Sequence, residues 1–563
     1  MTAWQLFRSG KFREIFVRSL NILNNPSVAH EVNYTKWRRT WVDLNDHKRN
    51  QILANIGSLP QRPSFALFLY VDAEDEDPSQ LFQTIQNIHA QLYPDWVLFI
   101  VNESLKKDFN PDFLDKIESL GDSRIKVNSH EVPRIPFEWV CVLPTETHLH
   151  EAALFIAAVS LIENSQTEII YCDHDHLNVQ GEFCDPHMKP EWNPDLFTAM
   201  NYMAPLVIYK RDLWERRSRL DDEYGFLLGV TKTLSSEAIL RMPYVLASVL
   251  ISDDRSHLAP PVRRIEYDVP TPAPLVSILI PTRDQGRMLQ RCLNSIYEKT
   301  SYSNFEIILV DHQSSEKNAL KVIDSYRDTE NFQLIDFSGL FNFSAMMNRA
   351  AVVAKGQVLI LLNNDTEIIE SEWLTELVSQ VSRSEVGIVG ALLLFGDGSI
   401  QHAGVHPGIG GLMGHGHKHL PGDSSGYFNR LKAVHEVAAV TGACLAVEKS
   451  TWVDLGGLDE ENLTVAYNDI DLCFKARKEG LRIIFTPFAR LLHHESVSRG
   501  VDSDPSRNER LNSEIKVMSE RWGDMLESDP AYSPNLNSAG AGFSLSEEPR
   551  ILPFWKNVTK SCK

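Results

Sequence analysis

An internal repeat limits the folds open to this chain more than any other feature. Tyr93–Val101 reads YPDWVLFIV and Tyr302–Val310 reads YSNFEIILV, so each copy leads from a tyrosine into an apolar strand. An apolar strand and a helical stretch precede each copy, and a third apolar strand follows it. Strands that alternate with helices indicate a parallel sheet, and strands without polar alternation indicate burial on both faces. We therefore predict an α/β fold with two similar, mainly parallel Rossmann-like domains in tandem.

Proline marks the predicted boundary between these domains, near residue 270. The segment APPVRRIEYDVPTPAP has the composition of a stiff, extended linker. A polar helical run at 505–526 opens a C-terminal tail that we expect to lie over the second domain. The predicted parts are a basic helical segment (1–59), a first domain (60–258), a linker (259–274), a second domain (275–500) and a C-terminal helix and tail (501–563).

Composition and charge exclude several classes of protein. The 563 residues are 43% hydrophobic and 23% charged, as in globular proteins of three or four domains. The net charge of −20 would repel nucleic-acid phosphates, so we expect no nucleic-acid partner. Seven scattered cysteines without a CxxC pair suit reduced thiols. No apolar stretch approaches the ~20 residues that span a bilayer, so we expect a cytoplasmic protein.

The first 59 residues carry the opposite charge, with nine basic and four acidic side chains. A helix predicted at residues 4–23 has one apolar face, formed by Phe12, Ile15, Phe16, Leu20 and Leu23. Such a helix could make a peripheral contact with an anionic membrane, or it could pack on the body of the protein. Both interpretations stay open.

Polar residues end three successive strands of the second domain. The first strand ends at Pro281–Thr282, the next ends at Asp311, and the third runs into Asn363–Asp365. Ligands of open α/β sheets bind at these strand ends, and oxygen ligands there suit Mg²⁺ or Mn²⁺ bridging a diphosphate. The alternative is that the acids cap helices or stabilise turns.

Two later segments add groups to the same crevice. YNDIDLCFKARKEG places Asn468 and Asp469 in a first helical turn, where the helix dipole keeps Asp469 ionised and able to accept a proton. ARLLHHES brings His493 and His494 to a strand end, where a histidine can complete a metal shell. Acids in first turns and paired histidines also occur for stability alone. We expect Asp365, Asp469 and His493 to converge.

Taken in chain order, these segments resemble the inverting family 2 glycosyltransferases of GT-A fold that build bacterial O-antigen and other surface polysaccharides. The matching segments are VSILIPTRD, FEIILVDHQSS, FNFSAMMNRAAVVAKGQVLILLNNDTEI, TGACLAVEKSTWVDLGGLDEEN, YNDIDLCFKARKEGLRI and ARLLHHESVSRG. They cover residues 275–500 in order, which makes the series more specific than any single motif.

The resemblance implies a role for each matched residue. The nucleotide would be bound by Pro281, Thr282, Asp284, Asp311, Asn348 and Asn364. A Mn²⁺ or Mg²⁺ cofactor would be held by Asp365 and His493. The base would be Asp469, and the donor or acceptor would contact Thr441, Gly442 and Asp471. Two departures stand out, since Asn363 replaces the first Asp of the DxD-type motif and Asn468 stands where an acid is frequent.

The first domain resembles a degenerate copy of the same fold. Pro144–Glu146 stands in place of Asn363–Asp365, and no histidine follows in ASVLISDDRS. The segment DDEYGFLLGV replaces the segment that carries Asp469 in the second domain, and Glu223 or Gly225 stands near the position of that acid. We expect a noncatalytic domain that scaffolds the enzyme or binds glycan.

Two histidine clusters invite a metal interpretation. His415, His417 and His419 alternate in a glycine-rich stretch that could chelate a transition metal or form a loop beside the donor or acceptor. In the first domain, residues 172–176 read CDHDH and His187 follows. That segment could bind zinc, or it could correspond to a glycosyltransferase segment that usually carries acidic residues in place of the histidines.

These expectations give one leading function and two alternatives. The leading hypothesis is a metal-dependent inverting hexosyl- or deoxyhexosyltransferase that moves a sugar from a nucleotide-diphosphate sugar to a lipid-linked or growing surface polysaccharide. A sugar nucleotidyltransferase would need a glycine-rich, basic triphosphate loop, which PTRDQGRML does not provide. A noncatalytic glycan- or nucleotide-binding protein is favoured only if Asn363 and Asn468 have disabled the site.

Overall fold

The chain forms two compact units in the computed structural model, which describes residues 32–71, 78–102, 108–129, 136–217, 222–251, 259–494, 505–538, 540 and 542–556. The C-terminal unit holds Val262–Ala531 and Asn537–Ser544. The N-terminal unit holds the described residues of His30–Pro261, Tyr532–Leu536 and Leu545–Lys563. The helix expected at residues 4–23 lies outside the described residues, so its contact with a membrane stays a prediction.

The N-terminal unit begins with two helices and continues with strands and helices in alternation. Its helices are α1 (Tyr34–Trp41), α2 (Asp46–Ile56), α3 (Pro78–His89), α4 (Pro111–Ser119), α5 (Ala153–Glu163), α6 (Pro194–Ala199), α7 (Arg211–Trp214) and α8 (Glu223–Thr231). Its strands are β1 (Phe65–Val71), β2 (Trp96–Asn102), β3 (Ile125–Ser129), β4 (Trp139–Val142), β5 (Thr147–Leu149), β6 (Ile169–Leu177), β7 (Phe183–His187), β8 (Val207–Lys210) and β9 (Ile239–Leu250).

The C-terminal unit repeats this alternation and ends in a long helix. Its helices are α9 (Gly286–Lys299), α10 (Lys317–Tyr326), α11 (Phe343–Val353), α12 (Trp373–Val381), α13 (Lys449–Asp454), α14 (Asn468–Lys478) and α15 (Pro505–Glu527). Its strands are β10 (Val276–Thr282), β11 (Phe305–Asp311), β12 (Phe332–Asp336), β13 (Val358–Leu362), β14 (Thr366–Ile368), β15 (Val386–Leu394), β16 (Ile400–His402), β17 (Val405–Pro407), β18 (Met413–His415), β19 (His435–Glu436), β20 (Cys444–Glu448) and β21 (Arg482–His493).

The main sheets of the two units have the same strand order. In the N-terminal unit the order is β3-β2-β1-β4-β8-β6-β9-β5, and in the C-terminal unit it is β12-β11-β10-β13-β20-β15-β21-β14. Equivalent pairs also run in the same sense, so that β1 and β10 each lie parallel to both neighbours while β8 and β20 are antiparallel to theirs. The predicted fold class, tandem α/β domains with mainly parallel sheets, is confirmed.

The tyrosine that opens each repeat makes the same contact in both units. The Tyr93 hydroxyl donates to the carbonyl oxygen of Pro63 at 2.8 Å, and the Tyr302 hydroxyl donates to that of Pro274 at 2.6 Å. Each proline stands two residues before the first strand of its sheet. The repeated tyrosine therefore ties the entry of β2 or β11 to the entry of β1 or β10.

Burial on both faces explains the apolar strands of the C-terminal sheet. Along β10, Ile278 and Ile280 pack in one core with residues of α9, while Leu279 packs in a second core with residues of α11. All three side chains are fully buried. A strand between two helical layers must be apolar at every position, which is the pattern that the sequence shows.

The described residues of the N-terminal unit include no counterpart of α11. In the C-terminal unit this helix of 11 residues connects β12 to β13. Ser129 and Trp139, which end β3 and begin β4, stand too close in sequence for a helix of that length.

The C-terminal tail differs in part from expectation. The predicted helical run is confirmed as α15, but residues 532–536 and 545–556 belong to the N-terminal unit, so the expectation that the whole tail covers the second domain is wrong. The physical reason is a buried ion pair, Arg241–Asp173, at 2.9 Å. Ser533 accepts a hydrogen bond from Arg241 and Asn535 donates one to Asp173, so the tail completes the bonding of both buried charges.

None of the helices in the described ranges is both long enough and apolar enough to cross a membrane.

Candidate active site

The carboxyl ends of β10, β11 and β13 meet in the C-terminal unit, as parallel strands require. Thr282 lies opposite Asp311 in the register of β10 and β11. The Asn364 side chain, which follows β13, donates a hydrogen bond to the Thr282 hydroxyl at 2.9 Å. Three of the residues predicted to bind nucleotide therefore stand together, with Pro281 next to them on β10.

Asp284 and Asp311 hold the loops behind these strand ends. One Asp284 oxygen accepts the backbone N–H groups of Ser315 and Glu316 at 2.7 and 2.8 Å, and these bonds lower the pKa of the carboxyl. Asp311 accepts from the backbone and hydroxyl of Ser314. The turn-stabilising role left open for these acids is realised, and contact with a nucleotide stays a prediction.

Glycine is required where α9 begins beside these loops. A Cβ atom at Gly286 would lie 2.5 Å from the backbone nitrogen of Ala319 in α10. Any other residue would push the two helices apart, and with them the loops that Asp284 and Asp311 hold.

Asn348, also predicted to bind nucleotide, connects α11 to the loop before the base. Its amide donates to the carbonyl oxygen of Leu458 at 2.9 Å and accepts from the N–H of the same residue at 3.0 Å. A second bond joins it to Glu460 at 2.8 Å. The structure thus places Asn348 in a supporting position.

Asp365 and His493 form the predicted metal-binding pair. The His493 Nε2 atom lies 3.0 Å from Asp365 Oδ1, because β14 pairs with β21 and sets Thr366 opposite His493. The side chain of His494 makes a different contact, with Glu367 at 3.1 Å. Of the two histidines, only His493 faces Asp365.

The ligand types of this pair fit a divalent cation. A carboxylate oxygen and an imidazole nitrogen both bind Mn²⁺, and Mg²⁺ prefers oxygen ligands together with phosphate and water. Across the described parts of the chain, no group of three or more His, Cys, Asp or Glu side chains could hold a metal ion. A cation at Asp365 and His493 would therefore need further ligands from a diphosphate and water.

Asp469 is half-buried at the start of α14. Its Oδ2 atom accepts the backbone N–H of Gly442 at 2.8 Å, and its Oδ1 atom accepts that of Ile470 at 2.9 Å. Burial raises the pKa of this carboxyl, although the two N–H groups and the Thr441 hydroxyl act in the opposite direction. Thr441 and Gly442, predicted to contact donor or acceptor, thus lie directly against the predicted base.

A short chain of contacts connects the base to the metal-binding pair. Gly442 binds Asp469, and the carbonyl oxygen of the next residue, Ala443, accepts the N–H of Asn363 at 3.0 Å. Asn363 in turn stands two residues before Asp365, and its amide nitrogen lies 3.3 Å from His493 Nε2. Asp365 and His493 therefore stand side by side, and Asp469, in the first turn of α14, is connected to them through Gly442, Ala443 and Asn363.

Asp471 does not fit the predicted contact with donor or acceptor. It is fully buried, and its carboxylate pairs with Arg521 at 2.7 Å, Trp522 Nε1 at 2.8 Å and Lys475 at 3.0 Å. No surface of the side chain is exposed to a substrate, so we correct this assignment to a positioning role. No local sequence pattern indicates these contacts, because Arg521 and Trp522 are 50 and 51 residues away.

Asn468, which stands where an acid is frequent, donates its amide to the Ser344 hydroxyl at 3.0 Å and to the carbonyl oxygen of Val465 at 3.3 Å. A carboxylate at this position could only accept hydrogen bonds, so it could not bind the carbonyl of Val465. The substitution is therefore accommodated by local bonding and leaves Asp469 in place.

The histidine clusters do not assemble metal sites in the described ranges. His415 Nδ1 bonds to His402 Nδ1 at 2.8 Å, His417 stacks on Phe543, and His419 stacks on Phe395. In the N-terminal unit, the rings of His174, His176 and His187 contact edge to face at about 5 Å. The three alternating histidines at 415–419 each take a different partner, so the chelate interpretation is wrong.

Sequence reasoning missed two residues that support the site. Glu514 of α15 is buried and accepts the backbone N–H groups of Val465 and Ala466, just before α14. Gln401 of β16 accepts from His493 Nδ1 at 2.5 Å. Neither residue stands in a recognisable motif. The sequence signal that could have indicated Glu514 is its place as an acid on the apolar face of α15, where a buried carboxylate needs hydrogen-bond partners.

Comparison with known proteins agrees with this arrangement. Residues 277–428 match the family model described as glycosyl transferase family 2. The matched part of the C-terminal unit is a family 2 glycosyltransferase domain. Thr282, Asp311 and Asp365 lie inside the matched range, whereas Asp469 and His493 lie beyond its end.

Two curated relatives extend the likeness beyond the family 2 domain. The chain is 33% identical over 544 residues to the uncharacterized protein y4gI of Sinorhizobium fredii, covering 87% of this chain and 59% of the relative. It is 28% identical over 542 residues to the O-antigen biosynthesis protein RfbC of Myxococcus xanthus, covering 88% of this chain and 42% of the relative. The chain thus spans only about half the length of the curated relatives it matches.

Solved structures show a weaker likeness. A crystal structure of GalNAc-T7 with UDP, GalNAc and Mn²⁺ has a TM-score of 0.37 at 19% identity, covering 50% of this chain and 53% of that one. The mannosyltransferase PcManGT of Pyrobaculum calidifontis, in complex with GDP-Man and Mn²⁺, has a TM-score of 0.33 at 16% identity, covering 53% of this chain and 78% of that one.

Proposed function

We propose that this protein is a metal-dependent, inverting glycosyltransferase that moves a hexosyl or deoxyhexosyl group from a nucleotide-diphosphate sugar to a surface polysaccharide under construction. The observation that carries the proposal is the convergence of Asp469, through Gly442 and Asn363, on the Asp365–His493 pair. A base beside a divalent cation site is what displacement of a nucleoside diphosphate by a hydroxyl requires.

The residues divide the chemistry between them. Asp365 and His493 would hold Mn²⁺ or Mg²⁺, which neutralises the negative charge that develops on the departing diphosphate. Asp469 accepts the proton of the acceptor hydroxyl while the oxygen of that hydroxyl bonds to the anomeric carbon. Attack from the face opposite the diphosphate breaks the anomeric C–O bond and inverts the configuration, so no nucleophile from the protein is needed.

The acceptor is proposed to be a lipid-linked or growing polysaccharide. Similarity to a protein of O-antigen biosynthesis supports a surface glycan as the product. We propose that the reaction takes place in the cytoplasm, on the cytoplasmic face of the inner membrane, with the N-terminal helix predicted at residues 4–23, in the basic segment 1–59, as the peripheral membrane contact. The excess of basic side chains in that segment supports this placement.

We further propose that the N-terminal unit is noncatalytic and scaffolds the enzyme or binds glycan. Thr147 pairs with Val249 where Thr366 pairs with His493, so a valine replaces the metal-binding histidine. Near the place of the base, Glu223 pairs with Arg217 at 2.9 Å, and burial raises its pKa to about 7. One remaining acid, Glu146, cannot hold a cation alone.

Release of nucleoside diphosphate from a panel of nucleotide sugars tests the proposal. The full chain is assayed with Mn²⁺, with Mg²⁺ and with EDTA, beside Asp469→Asn and Asp365→Ala. We expect release from one donor that needs the metal and falls in both variants. Binding of no donor and release from none would favour the noncatalytic alternative, while equal release by wild type and Asp469→Asn would remove Asp469 from the reaction.

A further inference from the structure

Gln401 occupies a β-bulge beside the predicted metal site. In the pairing of β15 with β16, Leu393 lies opposite His402 and Leu394 lies opposite Ile400, so Gln401 is the extra residue between them. Bulges redirect a side chain and recur beside active sites. Here the bulge turns the Gln401 side chain, which is 5% exposed, toward His493.

The bonding of Gln401 fixes the orientation of its own amide. One end of the amide lies 3.4 Å from the carbonyl oxygen of His493, and the other lies 2.5 Å from His493 Nδ1. Because a carbonyl oxygen can only accept, the amide nitrogen faces it and the amide oxygen faces the ring. An amide oxygen also can only accept, so His493 Nδ1 must carry the hydrogen.

That assignment determines the other side of the ring. A neutral histidine protonated at Nδ1 presents a lone pair at Nε2. His493 Nε2 lies 3.0 Å from Asp365 Oδ1 and 3.3 Å from the amide nitrogen of Asn363. In the neutral Nδ1–H form the Nε2 lone pair faces this carboxylate, and a divalent cation bound by both atoms would remove the repulsion between them.

We propose that Gln401 is a positioning residue for metal binding: it holds His493 in the Nδ1–H form, so that Nε2 is ready to bind the divalent cation. The inference rests on the proposed function of Asp365 and His493. The N-terminal unit supports it, because there Val249 takes the place of His493. In the N-terminal unit His187 pairs with His174, as His402 pairs with Leu393 in the C-terminal unit. Pro186, the residue before His187, therefore stands at the position of Gln401. The N-terminal unit, to which the proposed function assigns no cation, thus has neither the glutamine nor the histidine of the Gln401–His493 pair.

Titration with Mn²⁺ alone, followed by water-proton relaxation, tests the proposal in the full chain. Gln401→Leu removes the acceptor at nearly constant volume and should weaken Mn²⁺ binding about 10- to 100-fold, as loss of a partner to a ligating histidine does. Gln401→Glu keeps an oxygen at the same place and should retain affinity within about threefold of wild type. Thermal melts of both variants show whether the fold is kept.

A double-variant cycle separates positioning from a general structural effect. If Gln401 acts through His493, then Gln401→Leu should weaken binding no further in a His493→Ala background. An equal loss in both backgrounds, or unchanged affinity of Gln401→Leu in the presence of His493, would overturn the role of Gln401 alone. Unchanged affinity of His493→Ala itself would overturn the metal site of the proposed function, and this inference with it.

Discussion

At the scale of single residues, the environment of Asp469 determines the pH range in which this proposed base is ionised. The sequence predicts an acid in a first helical turn, and the structure places Asp469 there. Sequence reasoning included the helix dipole but not burial, which depends on the loop at Thr441–Gly442, nearly thirty residues earlier. Because burial outweighs the N–H donors, the pKa of the carboxyl is raised above 3.8. The base is therefore ionised only at a higher pH than an exposed aspartate.

This shift predicts the acid limb of the pH profile. A base must be ionised to accept a proton, so kcat/KM should fall as the pH drops through the raised pKa of Asp469, at a pH above 3.8. Asp469→Asn keeps the size of the side chain and should lower kcat about 10²- to 10⁴-fold at neutral pH. Steady-state rates across pH check both statements, and an unchanged acid limb in Asp469→Asn would assign that limb to another group.

At the scale of elements, α15 fixes the first turn of α14. Glu514 accepts the N–H groups of Val465 and Ala466, while Arg521 and Trp522 bind Asp471. Two points of contact on one helix thus hold the segment that carries the base. The sequence predicts both helices and places α15 within a residue of its observed end, but it does not predict their contact, because pairings over some fifty residues leave no local pattern.

Weakening this contact should affect turnover more than binding of the donor. Glu514→Gln directs an amide NH₂ group at one of the backbone donors and should displace the turn before Asp469, lowering kcat about tenfold with little change in the KM of the donor. Glu520→Gln, at an exposed position of the same helix, serves as the matched control and should behave as wild type. A fall in both variants would indicate a general loss of the helix.

At the scale of the whole molecule, two sheets with one strand order carry different residues at their strand ends. The apolar repeats predict two similar, mainly parallel domains, although they do not predict the strand order. The strand-end residues differ at Glu146 and Asp365, which occupy equivalent positions before Thr147 and Thr366. The chemistry of each unit is therefore set by few positions that the fold itself does not constrain.

Matched substitutions at these two positions should separate the roles of the units. Asp365→Ala removes a proposed metal ligand and should lower kcat at least about 100-fold, since a cation at the leaving group contributes several kcal/mol. Glu146→Ala should leave turnover within about twofold of wild type. Donor release assays under saturating Mn²⁺ compare them, and a loss of similar size in Glu146→Ala would show that the N-terminal unit takes part in the reaction.

The shared strand order and the paired tyrosine contacts at Pro63 and Pro274 point to the history of the chain. Duplication of a gene segment encoding one domain would account for both features, and selection on the two copies would then be unequal. In the N-terminal copy, purifying selection should act on the framework, including Tyr93, and relax at the strand ends. In the C-terminal copy purifying selection should act on both the framework and the strand ends. Substitution rates at the strand ends would therefore be higher in the N-terminal copy than in the C-terminal copy, while rates in the framework would be similar.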